Sequence, residues 1–114
     1  MKRWIGVASI LCFAAGCALQ NGLHSAGQSA QSLIIDVRTP EEYESGRIAR
    51  AVNIPYDEIG QRIDEVTTDK DRRIVVYCHS GRRAGIALTT LQAMGFRHVE
   101  NAGGYEAFKE KLGQ

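Results

Sequence analysis

Four short apolar runs rich in β-branched residues alternate with segments whose apolar residues recur at helical spacing, and this alternation leaves few folds open. Leu33-Ile34-Ile35-Asp36-Val37 reads as a first strand and Ala51-Val52-Asn53-Ile54 as a shorter second. Ile74-Val75-Val76-Tyr77 reads as a third and His98-Val99-Glu100 as a fourth. The third run is continuously apolar, as expected of a central strand in a parallel sheet covered on both faces. The pattern predicts an α/β fold, a parallel sheet with helices on its faces.

The helix signals lie between these runs. Thr39 is a candidate N-cap, Pro40 suits the first helical position, and Glu42 completes a capping box, with Gly46 ending the short helix. Ile59, Ile63 and Val66 predict a helix over roughly residues 57–66. The longest helix is expected from Gly81 to Met94, with Ala84, Ala87, Leu88, Leu91 and Met94 on one face. Gly95 is placed to be its left-handed cap, with Phe96 packing back. Gly103-Gly104 turns the chain into a closing helix lined by Tyr105, Phe108 and Leu112.

The first 17 of the 114 residues read differently from this body. Lys2 and Arg3 precede an uncharged apolar run from Trp4 to Ala15, too short for the roughly 20 residues of a transmembrane helix and without the polar face of a surface helix. Such a segment is expected to be an export signal. Ala14-Ala15-Gly16-Cys17 resembles a bacterial lipoprotein box, although Ala14 stands where Leu is usual. Cys17 is the expected lipidation site, which would anchor the chain without a spanning segment. Simple cleavage and free secretion is the alternative. Residues 18–32 have flexible-linker composition and are expected to be a tether, with His24 an exposed tether residue. The folded domain is then residues 33–114. A periplasmic location, with attachment to a membrane only through the lipid, is the expectation.

With 14 Lys and Arg against 13 Asp and Glu, the net charge of +1 gives no general argument for nucleic acid as a partner. Cys12 and Cys17 lie in the export segment, so Cys78 is the one thiol of the body and no disulfide can form within it. A lone thiol is often a small buried hydrophobe; the neighbours of Cys78 point elsewhere.

Tyr77-Cys78-His79-Ser80-Gly81-Arg82-Arg83-Ala84 joins the most apolar strand to the longest helix. Ligands of open α/β sheets bind beyond the carboxyl ends of strands, and a helix start offers free N–H groups to an anion. A thiolate is such an anion, so the Cys78 thiol is expected to ionise more readily than usual. Arg82 and Arg83 are expected to bind the incoming anion, because basic residues in a first helical turn oppose the helix dipole. Gly81 allows a tight turn and close backbone approach. His79 and Ser80 are expected to supply amides and shape the rim. Sulfur transfer from an anionic donor needs an ionised sulfur, a positive cradle and stabilisation of the anionic persulfide, and this loop can supply all three. No metal is expected, since Cys78, His79 and His98 lack ligand spacing, and sulfur transfer through Cys78 needs no organic cofactor.

Asp36 to Tyr43, then Gly46-Arg47-Ile48, then Ala51 to Pro55 resemble the first half of a rhodanese domain. The Cys78–Arg83 loop, Ala93-Met94-Gly95-Phe96 and Gly103-Gly104-Tyr105 resemble its second half, so the similarity spans nearly all of Leu33 to Leu112. A single domain behind an export signal is most similar to the phage-shock-type periplasmic rhodaneses. The resemblance implies a five-stranded sheet, with a strand near Val66–Thr68 or just before Leu33 beyond the four read above. It implies a Cys78 persulfide made from thiosulfate and discharged to cyanide or a thiol, and structural roles for Asp36 and Arg38. Asp36 also fits a strand-end residue bonding a turn backbone. Arg47 and Arg50 stand where the family usually has His and Gly.

Two other classes compete. Cysteine-dependent phosphatases place Arg six residues after the Cys, whereas Ala84 stands there and Arg83 comes one earlier. A non-catalytic module, or a sulfur carrier for a dedicated protein acceptor, is the other. The expected partners are a small anionic sulfur donor and a thiol or cyanide acceptor, with the chain a monomer.

Overall fold

The structure, a computed structural model, describes residues 31–114. The export segment, Cys17 and most of the tether, including His24, lie outside the described residues.

The order of elements is β1 (Leu33–Asp36), α1 (Pro40–Ser45), β2 (Val52–Asn53), α2 (Ile59–Arg62) running into a 3-10 turn (Ile63–Glu65), β3 (Arg73–Cys78), α3 (Arg82–Ala93), β4 (His98–Gly104) and α4 (Tyr105–Leu112). The strands form one parallel sheet in the order β2-β1-β3-β4. The apolar run of β3 is central, between β1 and β4, as expected. Four strands are seen among the described residues, not five. Val66 to Thr68 carries no strand: the N–H groups of Val66 and Thr67 both bond back to the Ile63 carbonyl, which commits this stretch to a turn.

Side chains of successive strand residues point to opposite faces, and each face has its own core. Ile35, Val37, Ile74, Val76 and Cys78 pack with Ile59 and Ile63 and with Ala84, Ala87 and Leu91 of α3. Ile34 and Tyr77 face the other way, with Ile48, Ala51 and Phe108 of α4. Helices therefore cover both faces.

The local signals are realised closely. Thr39 Oγ1 accepts from the Glu42 N–H (3.2 Å), and Glu42 Oε1 accepts from the Thr39 N–H (2.9 Å). Gly95 is left-handed (φ 100°). Its N–H bonds the Gln92 carbonyl (3.0 Å) and that of Phe96 bonds the Leu91 carbonyl (3.1 Å), a Schellman cap with Phe96 buried. Two of the apolar residues on these helix faces are left exposed: Met94 is 37% exposed and Leu112 43%. Each closes its helical segment, and periodicity gives a helix face without showing where the sheet beneath it ends. The expected helix over residues 57–66 starts at Ile59 and tightens into the 3-10 turn after Arg62.

Arg50 is the one non-glycine residue with positive φ among those described (72°), which is why glycine would suit that turn. Arg47 lies over the Tyr43 ring, 4.5 Å from its centroid.

Candidate active site

Cys78 is the last residue of β3, paired with Gly104 across a register shift between Val76 and Cys78. Such an irregularity re-aims side chains at a strand end. The Sγ accepts from the N–H of Gly81 (2.9 Å) and from that of Ala84 (3.4 Å). Burial pushes the Cys78 thiol up, but the amides of Ala84, Gly81, Ser80 and Arg83 more than offset it and leave it below the usual thiol value. Cys78 is closed to solvent (0% exposed), while His79 and Ser80 are exposed at the rim.

The loop shape has an evident origin. Gly81 adopts φ 100° and ψ −15°, a left-handed conformation that a side chain would strain. It thereby turns the chain from the strand into α3 within three residues of Cys78. The loop rests directly on the end of β4: a Cβ on Gly104 would collide with the His79 carbonyl oxygen. His79 thus contributes its carbonyl to this packing.

The arginines divide. Arg83 is bound by Glu42, with Nη1 donating to Oε1 (2.9 Å) and Nη2 to Oε2 (3.1 Å). The Arg83 hydrogen bonds, with the Thr39 groups adding to them, draw the Glu42 carboxyl from its ordinary 4.5 down to about 2. Arg83 therefore brings fixed N–H donors but little net charge. Arg82 is exposed and has no ion-pair partner among the described residues. The two expected anion-binding arginines thus differ in their surroundings, because the acidic cap of α1 pairs with one of them.

Asp36 and Arg38 lie beneath the site, 0% and 4% exposed. Arg38 donates through Nε and Nη2 to the Asp36 carboxylate (2.7–3.1 Å) and through Nη2 to the Gly46 carbonyl (2.6 Å). Asp36 Oδ1 also accepts the Arg38 N–H (2.9 Å), the turn role that its strand-end position suggests. Tyr77 donates its hydroxyl to Asp36 Oδ2 (2.8 Å) and accepts the Ile48 N–H (3.0 Å). The Arg38 guanidinium lies over the Tyr105 ring (4.6 Å). This network ties β1, β3 and the segment before β2 together without touching the sulfur. Breaking a buried ion pair by removing one partner typically costs about 3–5 kcal/mol.

No group of His, Cys, Asp and Glu among the described residues has the arrangement of a metal site, and none of their helices is long and apolar enough to cross a membrane. Glu42 and Gly104 were not legible as site residues. Glu42 shows only as a capping residue and Gly103-Gly104 only as a turn; a glycine pair just before a helix start was the available signal for close backbone approach.

A parallel α/β domain whose central strand ends on a thiol held by loop amides is built to stabilise an anionic sulfur. The rhodanese-like domain profile matches residues 19–111. The chain belongs to the rhodanese family. It is 47% identical over 70 residues to thiosulfate sulfurtransferase PspE of Escherichia coli, covering 61% of this chain and 67% of that protein. It is 39% identical over 72 residues to a sulfurtransferase of Allochromatium vinosum, covering 63% and 65%. The match thus spans about two thirds of the length of these curated relatives. A solved rhodanese with anions from E. coli superposes with a TM-score of 0.65 at 43% identity, over 67% of this chain and 89% of that one.

Proposed function

We propose that this chain is a sulfurtransferase working by double displacement, with Cys78 as nucleophile and sulfur carrier. The observation that carries this is that the N–H groups of Gly81 and Ala84 both donate to the Cys78 sulfur. The thiolate attacks the outer sulfur of thiosulfate; the S–S bond breaks and sulfite leaves with the bonding pair. The resulting persulfide is anionic and is met by the same amides. Cyanide or a thiolate then attacks the outer sulfur and releases the Cys78 thiolate. Arg82 and the fixed N–H groups of Arg83 hold the donor, His79 and Ser80 form the rim, and Asp36 and Arg38 keep the strand ends in place.

A phosphatase reading is disfavoured by the loop itself. Ala84, at the position where those enzymes carry Arg, has no guanidinium to offer a phosphate, and Arg83 is held by Glu42.

The first test is intact mass before and after thiosulfate. The expected result is a gain of about 32 Da that cyanide reverses and that Cys78→Ser abolishes without loss of fold. Full activity in Cys78→Ser would sink the mechanism. No gain on the parent would shift weight to a carrier charged only by a protein partner.

The same proposal places the chain outside the cytoplasm as a monomer, with residues 1–17 as export signal, Cys17 lipidated and residues 18–32 as tether. Detergent-phase partitioning of the full chain, abolished by Cys17→Ser, is the expected outcome; aqueous partitioning of both would leave free secretion.

A further inference from the structure

We infer that Asn101, on β4, is a positioning residue that holds Gly81 in the conformation in which the loop amides converge on the Cys78 sulfur. The inference deepens the proposed function and rests on Cys78 being its nucleophile.

Gly81 is the hinge between the two donors. Its own N–H donates to Sγ, and α3, which begins at the next residue, brings the Ala84 N–H to the same atom. A glycine has no Cβ to bias it toward any one conformation, and as N-cap of α3 it has no side chain with which to cap the helix. A contact from outside the loop can therefore help to select its left-handed state. Asn101 Nδ2 donates to the Gly81 carbonyl (3.0 Å), which also accepts the Gly85 N–H of the first helical turn (3.0 Å). This fixes the peptide plane following Gly81, and with it the direction in which α3 departs.

Asn101 is itself held. Its Oδ1 accepts the Gly103 N–H (2.8 Å), so both ends of the amide are engaged and its orientation is defined. Gly103 in turn backs the loop: a Cβ on Gly81 would sit 3.3 Å from the Gly103 Cα. The side chain thus joins the end of β4 to the loop that follows β3, 20 residues earlier in sequence. Asp or Leu at this position would lack a donor, and a longer amide would have to fold back to reach. The site is at the surface, where water competes for the Gly81 carbonyl, so the effect is one of alignment and is modest.

The readout is the pH dependence of Cys78 alkylation by iodoacetamide in the full chain. Access to the sulfur changes rates at every pH alike, whereas thiolate fraction changes their ratio. In Asn101→Ala the ratio of rates at about pH 9 to about pH 6.5 is expected to rise about threefold, because the thiol ionises less readily. Asn101→Ser, too short to bridge to Gly81, is expected to do the same, and covers the case in which the alanine variant does not fold. A ratio equal to the parent's in a variant that keeps the parent's far-UV spectrum would overturn the inference. Alkylation reads the thiolate whether or not sulfur is transferred, so failure here is distinct from failure of the sulfurtransferase reading.

Discussion

Arg83 meets Glu42 through two hydrogen bonds, joining the first turn of α3 to the first turn of α1 across 41 residues of sequence. One carboxylate thereby caps a helix and fixes a guanidinium beside the candidate nucleophile. The pair has a pH signature. Glu42 titrates at about 2 in the folded chain against an ordinary 4.5. Its stabilising contribution is present above the ordinary value and is lost as pH falls through the lower one. The side chains are 19% and 34% exposed, so solvent screening keeps the contribution to about 1 kcal/mol. Thermal melts of Glu42→Gln should show a lower Tm than the parent at neutral pH and a shallower fall under acid. Parallel curves would refute the assignment.

The two arginines should fail differently. Arg83→Ala removes fixed donors and leaves the Glu42 carboxylate facing an incoming anion, so KM for thiosulfate should rise about tenfold. Arg82→Ala removes an exposed charge, and its effect should be about threefold and fade as salt is added. Steady-state kinetics at two ionic strengths decide this. A larger loss in Arg82→Ala would reverse the assigned roles.

Gly104→Ala should damage both fold and loop. The added Cβ meets backbone at the His79 carbonyl rather than a movable side chain, and overpacking of this kind costs about 1–3 kcal/mol. A lowered Tm together with reduced persulfide formation is expected. Parent-like behaviour in both measurements would show that the loop does not rest on β4 in solution.

Arg50→Gly should stabilise. Arg50 holds φ 72°, a conformation costing an ordinary residue roughly 1–2 kcal/mol, part of which glycine returns as chain entropy. A gain of about 0.5–1 kcal/mol, or a Tm rise of a few degrees, is expected for a domain of this size. A fall in Tm would mean that the Arg50 side chain makes a compensating contact.

What the amino-acid sequence determined by itself is local. The Thr39–Glu42 capping box, the Gly95 cap and the strand–helix alternation depend on residues within a few positions of one another, and all are found. Cys78 at the end of the most apolar strand was legible for the same reason: the end of a β-branched run followed by a helix start marks the ligand end of a parallel strand. What only the tertiary structure decided is which distant groups share that end of the sheet. Glu42 claims Arg83, Tyr77 and Arg38 converge on Asp36, Asn101 grips Gly81, and Gly104 lies under His79. Apart from the Asp36–Arg38 pair, these partners are set by the order β2-β1-β3-β4, which brings the ends of β1, β3 and β4 together. Periodicity reports the face a residue takes, whereas strand order and register decide what it meets there.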